Sequence, residues 1–188
     1  MGFLGDNKRI FVIIHVLAVI IGMGGALISD IFFNIYIKDK KIQPNENKTL
    51  GILSTIVWTG LFFIVLSGLA IFLSDPIKYS QSVKFLVKMT IVGIIIINGY
   101  AFFRIIHPAL RKIDFTDSNI HHKYVKLRKI AFAMGAISLT SWLVAFVLGM
   151  IETIPISYEM AMLTYLIIGL FGIFFSQNKD SPKDFHSS

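Results

Sequence analysis

The sequence predicts an all-α, polytopic membrane helical bundle with five transmembrane helices, and two observations carry that prediction. Only 15% of the residues are charged, 55% are hydrophobic and mean hydropathy is +0.72, whereas a soluble domain carries about 25% charged residues. Five apolar stretches, 10–37, 51–73, 85–107, 130–151 and 158–175, reach or approach the roughly 20 residues a helix needs to cross about 30 Å of hydrocarbon. No soluble domain interrupts them, so residues 1–176 are expected to form one transmembrane bundle, with 177–188 as a disordered tail. The chain has no cysteine, which removes disulfides, thiolate metal sites and cysteine nucleophiles.

The first span follows Lys8 and Arg9, as a secretory signal would. It is too long for one, and it runs on through Ile28, Phe32, Phe33 and Ile35 without a small-residue cleavage pattern, so it is expected to be retained. His15 lies about 7.5 Å into this span at 1.5 Å per residue. At about 100° per residue it shares a face with Ala18, Gly22, Ala26 and Ser29. Such small residues allow close helix packing in membranes, and they would also leave room for a flat ligand beside the imidazole. The second span is rich in Gly and Ser, with Gly60, Ser67 and Gly68. The third places Lys88 about 4.5 Å inside the same membrane face. Ionisable residues in lipid are costly and mark candidate sites, and the depth difference is shorter than a lysine side chain, so His15 and Lys88 can meet. The fourth span carries a second small-residue row, Ala131, Gly135, Ser138, Ala145 and Gly149, broken by Trp142, and is expected to line the same interior. In the fifth, Met160 and Met162 invite a copper reading, although methionine is also a common packing residue.

Orientation follows from basic residues in short loops. Lys8, Arg9, Lys78 and Lys84 fall on one side; Lys38, Lys40, Lys41, Lys48, Arg111, Lys112, Lys123, Lys126, Arg128, Lys129, Lys179 and Lys183 fall on the other. This bias predicts an N-terminus outside and a cytoplasmic C-terminus. The net charge of +7 is then explained by topology and by attraction to anionic lipid, with no nucleic-acid partner required. The segment from Pro108 to Lys129 reads as a solvated cytoplasmic connector with a charged helical stretch ending at Lys126-Leu127-Arg128-Lys129.

Several polar residues have both a structural and a functional reading. His15 would make one interhelical hydrogen bond, or act as a metal or haem ligand, for which neutral imidazole suits lipid. Lys88 would snorkel to the interface in line with Lys84, or sit desolvated beside an anion such as a propionate. Near the cytoplasmic side Asp30, Asn34, Asn98, Arg104 and His107 cluster by depth; Asp30 and Arg104 would form a structural ion pair, and His107 would join His121 and His122 at a metal. Asp75, Glu152 and Glu159 read as interface residues of the outer side, with Glu152 or Glu159 as an alternative partner for Lys88.

A histidine early in span one, the Gly/Ser-rich second span and a lysine within Val83-Lys84-Phe85-Leu86-Val87-Lys88 together resemble the HemJ-type protoporphyrinogen IX oxidases and the wider CopD-like small membrane proteins. The resemblance covers roughly residues 9 to 110; Leu86 and Gly22-Met23-Gly24-Gly25 depart from the family pattern. It implies an integral protein of a bacterial inner membrane that binds haem b. His15 would be the axial iron ligand and, with Lys88, a catalytic residue; Lys88, Gly22 and Trp142 would line the cofactor. A porphyrin substrate, a quinone acceptor and a homo-oligomer are compatible with it. The alternative implied by the same resemblance is a copper or small-solute transport or accessory protein without catalytic activity.

Overall fold

In the computed structural model, which describes residues 6–37, 43–111 and 120–178, every regular element is helical. In chain order these are α1 (Lys8–Tyr36), α2 (Pro44–Ser74), the short α3 (Pro76–Ser80), α4 (Val83–Ala101), a π-helical turn (Phe102–Ile106), α5 (His107–Arg111), α6 (Ile120–Met150) and α7 (Tyr158–Asn178). Five helices are long and apolar enough to cross a membrane, with Val83–Ala109 as the third. Their large apolar side chains point mostly outward, among them Ile13 at 59%, Phe62 at 62% and Leu170 at 66% exposure. Such a surface would aggregate in water and belongs against lipid. The protein is therefore an integral membrane, all-α helical protein.

Two helices start well before their apolar spans. The second begins at Pro44 because Gln43 and Glu46 form a capping box, with the Gln43 N–H donating to Glu46 Oε2 at 2.7 Å, and because proline at the first helical position has no N–H to lose. The charged stretch ending at Lys129 is helical, as expected, and forms the start of α6, continuous with the fourth span. Lysine, leucine and arginine all favour helix, and Arg128 lies over the Phe132 ring one turn on, 5.5 Å from its centroid. Hydropathy reports the part of a helix that sits in lipid, and neither of these starts needs to.

Pro108 accounts for the π-helical turn. Its ring would collide with the carbonyl four residues back, at Arg104, and it has no N–H to donate there. The preceding turn widens, and the His107 N–H bonds the Phe102 carbonyl, five residues back.

The described residues fall into two compact units. The first comprises Met1–Met89 with Leu148–Ile154, the second Thr90–Val147 with Pro155–Ser188. In the first, α1 and α2 pack through Ala18, Gly22, Gly25 and Ala26 on one side and Leu53, Gly60, Leu61 and Ile64 on the other, all buried. The backbones approach tightly at Gly60, where an added Cβ would lie 2.6 Å from Gly22 Cα. Past the end of α2, Asp75 caps α3 by accepting from the Lys78 N–H at 3.2 Å. The ring of Phe85 stacks on Phe72 at 5.2 Å and meets Tyr79 at 5.8 Å, which joins this turn to the start of α4.

In the second unit α6 and α7 run antiparallel. Ser176 Oγ donates to the Phe132 carbonyl at 3.1 Å, Gly172 faces Ala136 and Thr140, and Ser141 meets Tyr165. The Ser141 hydroxyl donates to the Ile137 carbonyl at 2.6 Å, so it accepts from the Tyr165 hydroxyl at 2.8 Å. Ser141→Ala leaves that buried hydroxyl without its acceptor and is expected to cost about 1–2 kcal/mol, read as a lower thermal midpoint in detergent. Tyr165→Phe leaves Ser141 bonded to Ile137, and the loss should be smaller; equal losses would contradict this donor assignment.

Candidate functional site

His15 sits half-buried on α1, facing α2. Its Nδ1 is 2.9 Å from Ser67 Oγ, and that hydroxyl also contacts the Phe63 carbonyl one turn back, with the Ile64 carbonyl at 3.3 Å. Serine commonly makes this back-bond inside a helix, which leaves one hydroxyl lone pair for a neighbour. The imidazole also meets the backbone carbonyl of Ile64 on α2. Gly68 follows Ser67 beside the ring; a Cβ there would lie 3.5 Å from His15 Cε1 and 3.8 Å from Nδ1. A larger side chain at position 68 would crowd the ring edge between the two nitrogens.

The space beside His15 is not where the small-residue row suggests. The backbone of Gly60 fills the face at Gly22, and the side chains of Ile56 and Val57 fill the space at Gly25. Gly22 is thus a helix-packing residue, and a flat ligand has no gap there. Two close-packed helices gain dispersion contacts along the whole seam, which an open slot would forfeit.

Lys88 projects from α4 in the same unit. Its Nζ would be 3.7 Å from a Cβ at Gly149, and it makes no hydrogen bond or ion pair among the described residues. No hydrogen bond joins it to His15 or to Lys84. One turn earlier Lys84 has a different fate. Its ammonium donates to the carbonyls of Ile151 and Glu152, just past the end of α6. Those carbonyls lack helical donors and carry the negative end of the helix dipole, so a cation is stabilising there. Glu152 thus contributes its main chain to Lys84, and no ion pair with Lys88 is formed. The sequence holds no signal for this cap beyond the four-residue spacing of the two lysines.

Trp142 belongs to the second unit. It is only 3% exposed, and its indole N–H finds no acceptor among the described residues. Asp30 makes no hydrogen bond or ion pair within its unit, and Arg104 lies over the Tyr100 ring at 5.8 Å from the centroid. The Asn98 amide donates to the Met134 carbonyl at 3.0 Å. His107 is buried against Phe102 and Phe103. The side chains of His121 and His122 lie outside the described residues, as do Lys38, Lys40 and Lys41. Among the described residues, no three His, Cys, Asp or Glu side chains converge on a metal position. Comparison with protein-family profiles, curated proteins and solved structures finds no match for this chain.

Proposed function

We propose that this is an integral membrane haem-binding redox protein in which His15 is the axial ligand through Nε2 and Lys88 supplies the charge for a propionate. The observation that carries the reading is the hydrogen bond between His15 Nδ1 and Ser67 Oγ, which anchors the imidazole on α2 through that nitrogen. Imidazole ligands of metals commonly have this arrangement, with the far nitrogen held by the protein. The unpaired ammonium of Lys88 suits a carboxylate-bearing ligand better than a neutral one. A bound haem b would supply one-electron redox chemistry. The chain itself contributes the iron ligand, a cation for the propionate and an apolar helical surface. That surface admits a lipophilic porphyrin-type substrate and a membrane quinone as electron acceptor. The same reading places the N-terminus outside the cell and the C-terminus in the cytoplasm, following the basic loop residues.

The test is a visible absorption spectrum of the detergent-purified protein, oxidised and dithionite-reduced, beside His15→Ala. A Soret band that sharpens on reduction and vanishes in the variant is expected. No band, even with haem supplied during expression, would sink the haem reading, and metal analysis for copper would then decide whether a transport or accessory role takes its place.

A further inference from the structure

We infer that Ser67 is the positioning residue of this site: its hydroxyl, committed as a donor to the Phe63 carbonyl, holds His15 in the Nδ1–H tautomer and so presents the Nε2 lone pair to a ligand. The proton count decides this. Ser67 Oγ has one hydrogen and three polar neighbours: the Phe63 carbonyl in closest contact, His15 Nδ1 at 2.9 Å and the Ile64 carbonyl at 3.3 Å. A carbonyl oxygen can only accept, so the Ser67 hydrogen lies between the hydroxyl and Phe63 oxygens; without it their lone pairs would face each other at contact distance. The hydroxyl can then only accept from the imidazole, which makes Nδ1 the protonated nitrogen. In the neutral ring the second nitrogen must carry the lone pair.

An unconstrained neutral imidazole populates both tautomers, and the Nε2–H form has no lone pair where a ligand would bind. Ser67 removes that form. The burial of Ser67, 3% exposed, keeps water from competing for the imidazole N–H. This role rests on the haem reading only for the identity of the ligand, because the tautomer is a property of the protein alone.

The test uses full-length protein with 15N-labelled histidine in detergent, without added haem. The signals of His15, one of five histidines, are identified by their loss in His15→Gln. In the wild type we expect an N–H-type shift at Nδ1 and an unprotonated shift at Nε2. In Ser67→Ala both tautomers should appear, and haem affinity in a titration should fall about tenfold to a hundredfold, the usual effect of removing a hydrogen bond behind a metal-binding histidine. If Ser67→Ala does not fold, Ser67→Cys, nearly isosteric and a weak acceptor, gives the same comparison. A protonated Nε2 in the wild type, or an unchanged tautomer in either variant, would overturn the inference. A Soret band with an unchanged tautomer removes the positioning role and leaves the haem reading. The expected tautomer without a Soret band does the reverse.

Discussion

Gly60→Ala is expected to lower the unfolding midpoint of the detergent-solubilised protein by an amount corresponding to about 1–3 kcal/mol, the usual cost of forcing a group into a full seam. The added Cβ would lie 2.6 Å from Gly22 Cα, 2.7 Å from Gly22 N and 3.1 Å from the Ala18 carbonyl. All three are backbone atoms of α1, so no rotamer change relieves the clash and the two helices must move apart. That separation would also loosen the His15–Ser67 bond, which crosses the same seam less than two turns further along α2. Gly24→Ala is the matched control, since nothing lies within 4 Å of a Cβ there. Its expected effect is neutral or slightly stabilising, because alanine favours helix over glycine by about 1 kcal/mol. Thermal scans monitored by size-exclusion chromatography would separate the two. A Gly60→Ala protein as stable as Gly24→Ala would refute the close approach of α1 and α2.

Lys88→Leu is expected to have the opposite effect on the fold and a harmful one on binding. The Lys88 ammonium has no hydrogen-bond or ion-pair partner among the described residues. A charge in a membrane helix costs up to about 3 kcal/mol at mid-span, less where the side chain reaches the interface. Removing it should raise the thermal midpoint, by about 1 kcal/mol at this half-buried position, while haem binding weakens because the propionate loses its cation. A residue that destabilises the empty protein yet serves its ligand fits the trade-off between stability and activity. Lys84→Leu should instead lower stability, since it exposes the carbonyls of Ile151 and Glu152 beyond α6. If Lys88→Leu proves less stable than the wild type, the lysine is a structural residue and its role toward a ligand loses its support.

The polar residues show where reading the sequence stops short. A helix wheel puts His15 on a face with Ala18 and Gly22 but says nothing about what lies opposite. The residues that meet that face are Ser67 beside the imidazole and Gly60 against Gly22, both more than 35 positions along the chain. Lys84 and Lys88 share a stripe and look alike in sequence, yet one caps a helix end and the other has no partner, because carbonyls left over from α6 lie within reach of only one of them.

Composition and hydropathy by themselves determined the class of this protein. Five apolar stretches in a chain with few charges must be helical and must face lipid, because hydrocarbon cannot satisfy a bare backbone. Those are local properties, written in consecutive residues. The tertiary structure decided the rest: that the glycine row is a packing seam with no slot in it, that Ser67 stands behind His15, and that Lys88 is the lysine left uncompensated. Each of these depends on which atoms of a distant segment approach within a few ångströms, and no pattern along a single helix carries that distance.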